Sequence, residues 1–85
     1  MSRQRTMEKI LSSEYVTIGE LARLTGCSYS TLKFYTEEGM LPFEQEEEKL
    51  TRRYRREESV MRIAYIRKLR EEGESIPEIK KLLVP

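Results

Sequence analysis

The residues of this chain that could do chemistry fall into two groups. Tyr29, Ser30 and Lys33 follow Ser28 in one short stretch, and Thr51-Arg52-Arg53-Tyr54-Arg55-Arg56 is the densest basic run. Neither group suits bond breaking, and both suit the holding of a polyanion. Residues at a helix start can offer hydroxyls, a ring and backbone N–H groups to base edges and phosphates. Guanidinium groups grip phosphate oxygens in the same way that they grip carboxylates. The chain has no His, no Asp, no Trp and a single Cys. A Ser-His-Asp triad, a Cys-His pair and a His-ligated zinc site therefore cannot be built from it. An enzyme would also need a concave pocket, for which a chain of 85 residues leaves little room. No enzymatic activity, metal or cofactor is expected.

Each candidate has a specific expected role. Tyr29 and Ser30 would lie in the first turn of a helix capped by Ser28, the turn that points into a major groove. Both are expected to touch bases. Ser30 can donate to or accept from almost any base, so it specifies weakly. Lys33 is expected at a phosphate as a point charge, without the fork of an arginine. Tyr35 is divided between ring packing and a hydroxyl contact with the DNA backbone or the wing. Phe34 is expected in the core. Arg52, Arg53, Tyr54 and Arg55 are expected along phosphates flanking the major-groove contact, with Thr17 and Ser28 adding backbone contacts at the helix starts.

Local sequence signals supply the elements that must position these groups. Met7, Ile10 and Leu11 fall at i, i+3, i+4, which fits a short helix within an N-terminal arm of residues 1–14, with a frayed terminus as the alternative. Thr17-Ile18-Gly19-Glu20 fits a capping box, and Ile18, Leu21 and Ala22 form one apolar stripe. Gly26 is expected left-handed after that helix. Leu32 and Tyr35 face inward on the next helix, Gly39 ends it, and Pro42 bars a restart. Phe43–Tyr54 reads as a short two-stranded wing with weak strands, since Glu, Gln and Lys are poor strand formers. Glu57 and Glu58 open a third helix whose buried side is Val60, Ile63, Ile66 and Leu69. Gly73 stops it. Ser75-Ile76-Pro77-Glu78 is a second capping box, followed by an apolar face of Ile79, Leu82 and Leu83.

Apolar residues make up 38% of the chain and charged ones 36%, enough for one modest core within a largely ionic surface. No apolar run is long enough to span a bilayer, and the first residues lack a secretory signal. With a single cysteine, these features place the chain in the cytoplasm, beside the nucleoid. Net charge is only +1, but it is unevenly spread. Residues 1–43 hold five bases and five acids, Glu44–Glu48 four acids, Lys49–Arg56 five bases, and the remainder six of each. Local patches must therefore carry any electrostatic function. The four glutamates read as a solvated loop tip, or as partners that pair with Arg52–Arg56 in the unbound chain. Cys27 reads as a buried structural thiol.

The pattern resembles the DNA-binding domain of the MerR family of bacterial transcription regulators. The resemblance is carried by Thr17-Ile18-Gly19-Glu20-Leu21-Ala22, Thr25-Gly26-Cys27-Ser28, Thr31-Leu32-Lys33-Phe34-Tyr35, Glu38-Gly39-Met40-Leu41-Pro42, Arg53-Tyr54, and the Val60–Gly73 helix with Ile76-Pro77-Glu78-Ile79. It covers residues 15–83 and implies an all-α fold with a small β wing. That fold is a winged helix-turn-helix followed by a second helix pair, with residues 15–85 as the DNA-binding domain. It further implies a homodimer on a two-fold symmetric operator of double-stranded DNA. Full-length relatives often twist promoter DNA for RNA polymerase, and some short relatives simply repress. Where relatives commonly carry an arginine near Ser30, a basic first wing strand, and Tyr or Phe at Arg55, this chain departs from the pattern.

No long heptad helix follows Leu83, so either the protein is short or this is part of a longer one, and pairing is expected through the arm, the last helix, the DNA itself or segments absent here. Two other readings stay open on the residues alone. One is an excisionase-like architectural protein that bends DNA. The other is a protein-interaction module built on the acidic wing and charged helices.

Overall fold

In the computed structural model, residues 5–83 are described; the first four residues of the arm and Val84-Pro85 lie outside them. The elements run α1 (Met7–Ser12), β1 (Tyr15–Val16), α2 (Ile18–Thr25), α3 (Tyr29–Glu37), β2 (Tyr54–Arg55), α4 (Arg56–Glu71) and α5 (Ile76–Leu83). This is a mostly helical winged helix-turn-helix. Among the described residues no helix is long and apolar enough to cross a membrane.

The helix boundaries follow from short-range chemistry. Thr17 Oγ1 accepts from Glu20 N while the Glu20 carboxylate accepts from Thr17 N, so both halves of the capping box form. Such a cap contributes about 1 kcal/mol. Gly26 ends α2 at φ 74°, a left-handed conformation that any side chain would strain. Ser28 then caps α3 through Thr31 N. Ser75 caps α5 through Glu78 N at 3.3 Å.

One core joins these pieces. Leu21 of α2, Leu32 and Tyr35 of α3, and Ile63, Ile66 and Leu69 of α4 meet in it. Met40 and Leu41, after α3, and Ile79 of α5 complete it. Ile10 of α1 is fully buried in the same core, so α1 packs on the domain.

The ribbon differs from expectation in its partners. Tyr54–Arg55 pairs antiparallel with Tyr15–Val16, ahead of α2, with Tyr15 opposite Arg55 and Val16 opposite Tyr54. Within Phe43–Tyr54 the two limbs meet at one bridge, Glu44 with Arg53. The glutamate-rich sequence between them forms a turn, as its weak strand propensity allows. Three side chains also depart from expectation. Phe34 is 44% exposed, because the buried side of α3 is Leu32, Tyr35 and Thr36, and position 34 points off it. Leu82 is exposed as well, leaving Ile79 as the buried residue of α5. Val60 is only half-buried, and Ser59 takes a buried place at the start of α4.

Candidate nucleic-acid interface

A hollow between α3 and the wing collects much of the expected site. Thr17 and Ile18 from the start of α2, Tyr29, Lys33 and Glu37 from α3, and Thr51, Arg52 and Tyr54 from the returning limb all line it. Tyr29, Lys33 and Glu37 fall at i, i+4, i+8, so they share one helix edge. Tyr29 is 55% exposed. Among the described residues neither Lys33 nor Arg52 has a carboxylate within ion-pair distance. Arg52 instead rests its guanidinium on the Phe43 ring, 4.6 Å from the centroid. That contact holds the side chain extended without neutralising it.

The hydroxyls divide by what they already hold. Thr17 Oγ1 accepts one bond from Glu20 N, and the same hydroxyl helps to hold the Glu20 carboxyl below its ordinary value. Ser28 Oγ accepts from Thr31 N and donates to Thr31 Oγ1 at 2.8 Å, so its proton is engaged in the cap. Ser30 is exposed in the first turn of α3 but does not line the hollow.

Two residues expected at the DNA backbone are instead inside. Tyr54 is fully buried, and its hydroxyl lies 3.0 Å from Thr36 Oγ1. Thr36 Oγ1 already donates to Leu32 O at 2.9 Å, so Tyr54 is the donor of that pair. Tyr54 thus ties the wing to α3. The alternation of a strand explains it: positions 52 and 54 face in, while 53 and 55 face out. Tyr35 is also buried, and burial, reinforced by nearby Cys27, pushes its phenol above the ordinary value. Cys27 itself is half-buried against the core.

Arg53 and Arg55 lie on the outer side of the ribbon, where they line a second hollow with Phe43, Met61 and Arg62. Their guanidinium carbons stand 5.2 and 5.6 Å from the centroid of the Tyr15 ring. Each is also paired with acid. Arg53 Nη2 is 3.8 Å from Glu46 Oε1, and Arg55 Nε is 3.5 Å from Glu44 Oε2. Glu44 beside its hydroxyl raises the Tyr15 phenol.

The arm supplies support that sequence reasoning missed. Arg5 donates from Nε and Nη2 to both oxygens of Glu20, each at 2.6 Å. It also donates to Ser13 Oγ at 2.8 Å. Through these bonds Arg5 holds the Glu20 carboxyl below the usual carboxylate range. From the other side, Arg56 donates Nε to Ser13 O and its backbone N–H to Glu14 O, both at 2.8 Å. The segment Ser13–Val16, which leads into Thr17 and pairs with the wing, is therefore fixed from both sides.

Comparison with known proteins gives the family and the fold. Residues 16–84 match the family described as MerR HTH family regulatory protein. The chain is 44% identical over 66 residues to the nodulation protein NolA of Bradyrhizobium elkanii, covering 78% of this chain and 30% of that one. It is 36% identical over 77 residues to the mercuric resistance operon regulatory protein of Serratia marcescens, covering 91% and 51% respectively. Among solved structures it resembles HiNmlR, a MerR family regulator lacking the sensor domain, bound to promoter DNA. There the TM-score is 0.68 at 29% identity, covering 81% of this chain and 52% of that one. The chain thus spans between 30% and 52% of the lengths of these three proteins.

Proposed function

The chain belongs to the MerR HTH family of regulatory proteins, a family of DNA-binding regulators, and from that premise we propose that it binds duplex DNA and regulates transcription. The α3 helix enters the major groove with Tyr29 and Ser30 toward the bases. Lys33 and Arg52 meet phosphates on the two sides of the hollow, and the Thr17 hydroxyl donates to a third. Arg53 and Arg55 reach the flanking backbone once freed from their carboxylates. Tyr35, Tyr54 and Ser28 hold the frame and make no direct contact through their side chains.

The observation that carries this reading is the shared hollow, which sets Tyr29, Lys33, Thr17 and Arg52 around one concave face. The match to a DNA-bound family member over most of the chain supports it. On this reading residues 15–85 form the DNA-binding domain and the arm ahead of them is its brace. The chain works in the cytoplasm, as a homodimer on a two-fold symmetric site, next to RNA polymerase. Its role is regulatory and not catalytic.

Selection of bound duplexes from a random pool at fixed salt tests it. An enriched, two-fold symmetric sequence is expected, and a pool that stays random after several rounds would sink the proposal. Tyr29→Ala should then alter the preferred sequence more than the overall affinity. Equal loss on every duplex would remove Tyr29 from the base-reading role.

A further inference from the structure

The wing carries its own counter-charges at fixed positions. Arg53 pairs with Glu46 at 3.8 Å, and Arg55 pairs with Glu44 at 3.5 Å and Glu14 at 3.8 Å. On the other side of the ribbon, Glu37 and Glu48 line the same hollow as Lys33 and Arg52. The loop that brings these acids in is held in place. Glu44 and Arg53 exchange two backbone hydrogen bonds at 2.7 and 2.8 Å. Gln45 Nε2 donates to the carbonyls of Glu48 and Leu50, at 3.1 and 2.5 Å. Leu50 N closes the turn on Glu47 O at 2.9 Å. Carboxylates thus pair with the cations on the outer face of the ribbon and share the hollow with those on the inner face, in a chain whose net charge is only +1.

We propose that the Glu44–Glu48 tip is an intramolecular competitor for the wing arginines, lowering the affinity of this chain for every duplex whatever its sequence. The inference rests on the DNA-binding reading above. Carboxylate and phosphate oxygens compete for the same guanidinium donors, so a phosphate contact made by Arg53 or Arg55 must displace one made within the chain. Each exposed pair is weak alone, but several act together on one short segment. Binding to random sequence depends almost wholly on phosphate contacts. A site read through its bases keeps those contacts, so the tip confines occupancy to such sites.

The test is the variant Glu44→Gln/Glu46→Gln/Glu47→Gln/Glu48→Gln. Glutamine keeps side-chain length, and the Glu44–Arg53 bridge uses backbone atoms, so the turn has its supports. Should the fourfold variant melt earlier than the unaltered chain, Glu46→Gln/Glu48→Gln gives the same readout with fewer changes. At about 0.1 M salt, Kd for both the selected site and a scrambled duplex is expected to fall about tenfold, with their ratio unchanged. The gain should shrink as salt is raised, and the variant should leave heparin at higher salt than the unaltered chain. Unchanged Kd and unchanged heparin elution would overturn the proposal. So would a shifted ratio, which would mean that the tip reads bases. Failure of the DNA-binding reading looks different: neither protein would bind either duplex, while the later heparin elution of the variant would still report the released arginines.

Discussion

Arg52 and Arg53 are neighbours in sequence, yet the ribbon gives them opposite electrostatic settings. Arg52 faces α3, stacks on Phe43 and has no carboxylate within ion-pair distance among the described residues. Arg53 faces outward, against Tyr15 and Glu46. The same alternation buries Tyr54 and exposes Arg55. Charge content is thus a poor measure of charge on offer. Of the five bases in Lys49–Arg56, two outer ones are matched by acid, and Arg56 is committed to holding the arm.

The largest expected effect tests that contrast directly. Lys33→Ala/Arg52→Ala should weaken duplex binding about a hundredfold and lower the salt slope by about two, since both cations meet phosphate without first breaking a pair. Arg53→Ala/Arg55→Ala should cost about tenfold or less, because those contacts replace existing ones. Titrations at several salt concentrations measure both, and equal losses would erase the distinction between the two faces.

Stability experiments sharpen it further. Arg5→Ala leaves the buried Glu20 carboxylate without its ion partner and should destabilise the fold by about 1–2 kcal/mol at neutral pH. Arg5 lowers the Glu20 pKa, so its stabilisation is present above the ordinary carboxylate value and lost as pH falls through the depressed one. The difference in Tm between the two proteins should therefore be full at neutral pH and close in acid. A difference independent of pH would mean that Arg5 acts through packing alone.

The smallest effect concerns Tyr54. Tyr54→Phe removes the donor to Thr36 Oγ1 and should cost about 1 kcal/mol of stability in a denaturant melt. The salt slope of binding should stay as it is. A slope lowered by one would return the Tyr54 hydroxyl to the DNA.

Much of this was legible from local signals. Thr17 with Glu20, Gly26 and Ser28 announced the helix-turn-helix because caps are made by residues within a few positions of each other. That Tyr29 and Lys33 share one edge of α3 was legible for the same reason. What escaped reading depended on distant partners or on very short elements. A strand as brief as Tyr15–Val16 has no periodicity to detect, so its pairing with Tyr54–Arg55 had no sequence signature. Arg5 and Glu20 are 15 positions apart and meet only because α1 folds back. Phe34 is apolar, yet the spacing of Leu32 and Tyr35 puts it off the buried side of α3. Tyr54 could have been placed by noticing that a tyrosine among arginines must take the opposite side of a strand from its neighbours.

The double hold on Ser13–Val16 also makes the front of this molecule a mechanical part. Arg5 anchors that splint to α2, and Arg56 anchors it to the first turn of the longest helix. A force on the ribbon would pull on the splint before it strained α3. Whatever is joined ahead of Arg5, such as an affinity handle or a fluorescent protein, would therefore be felt at the ribbon.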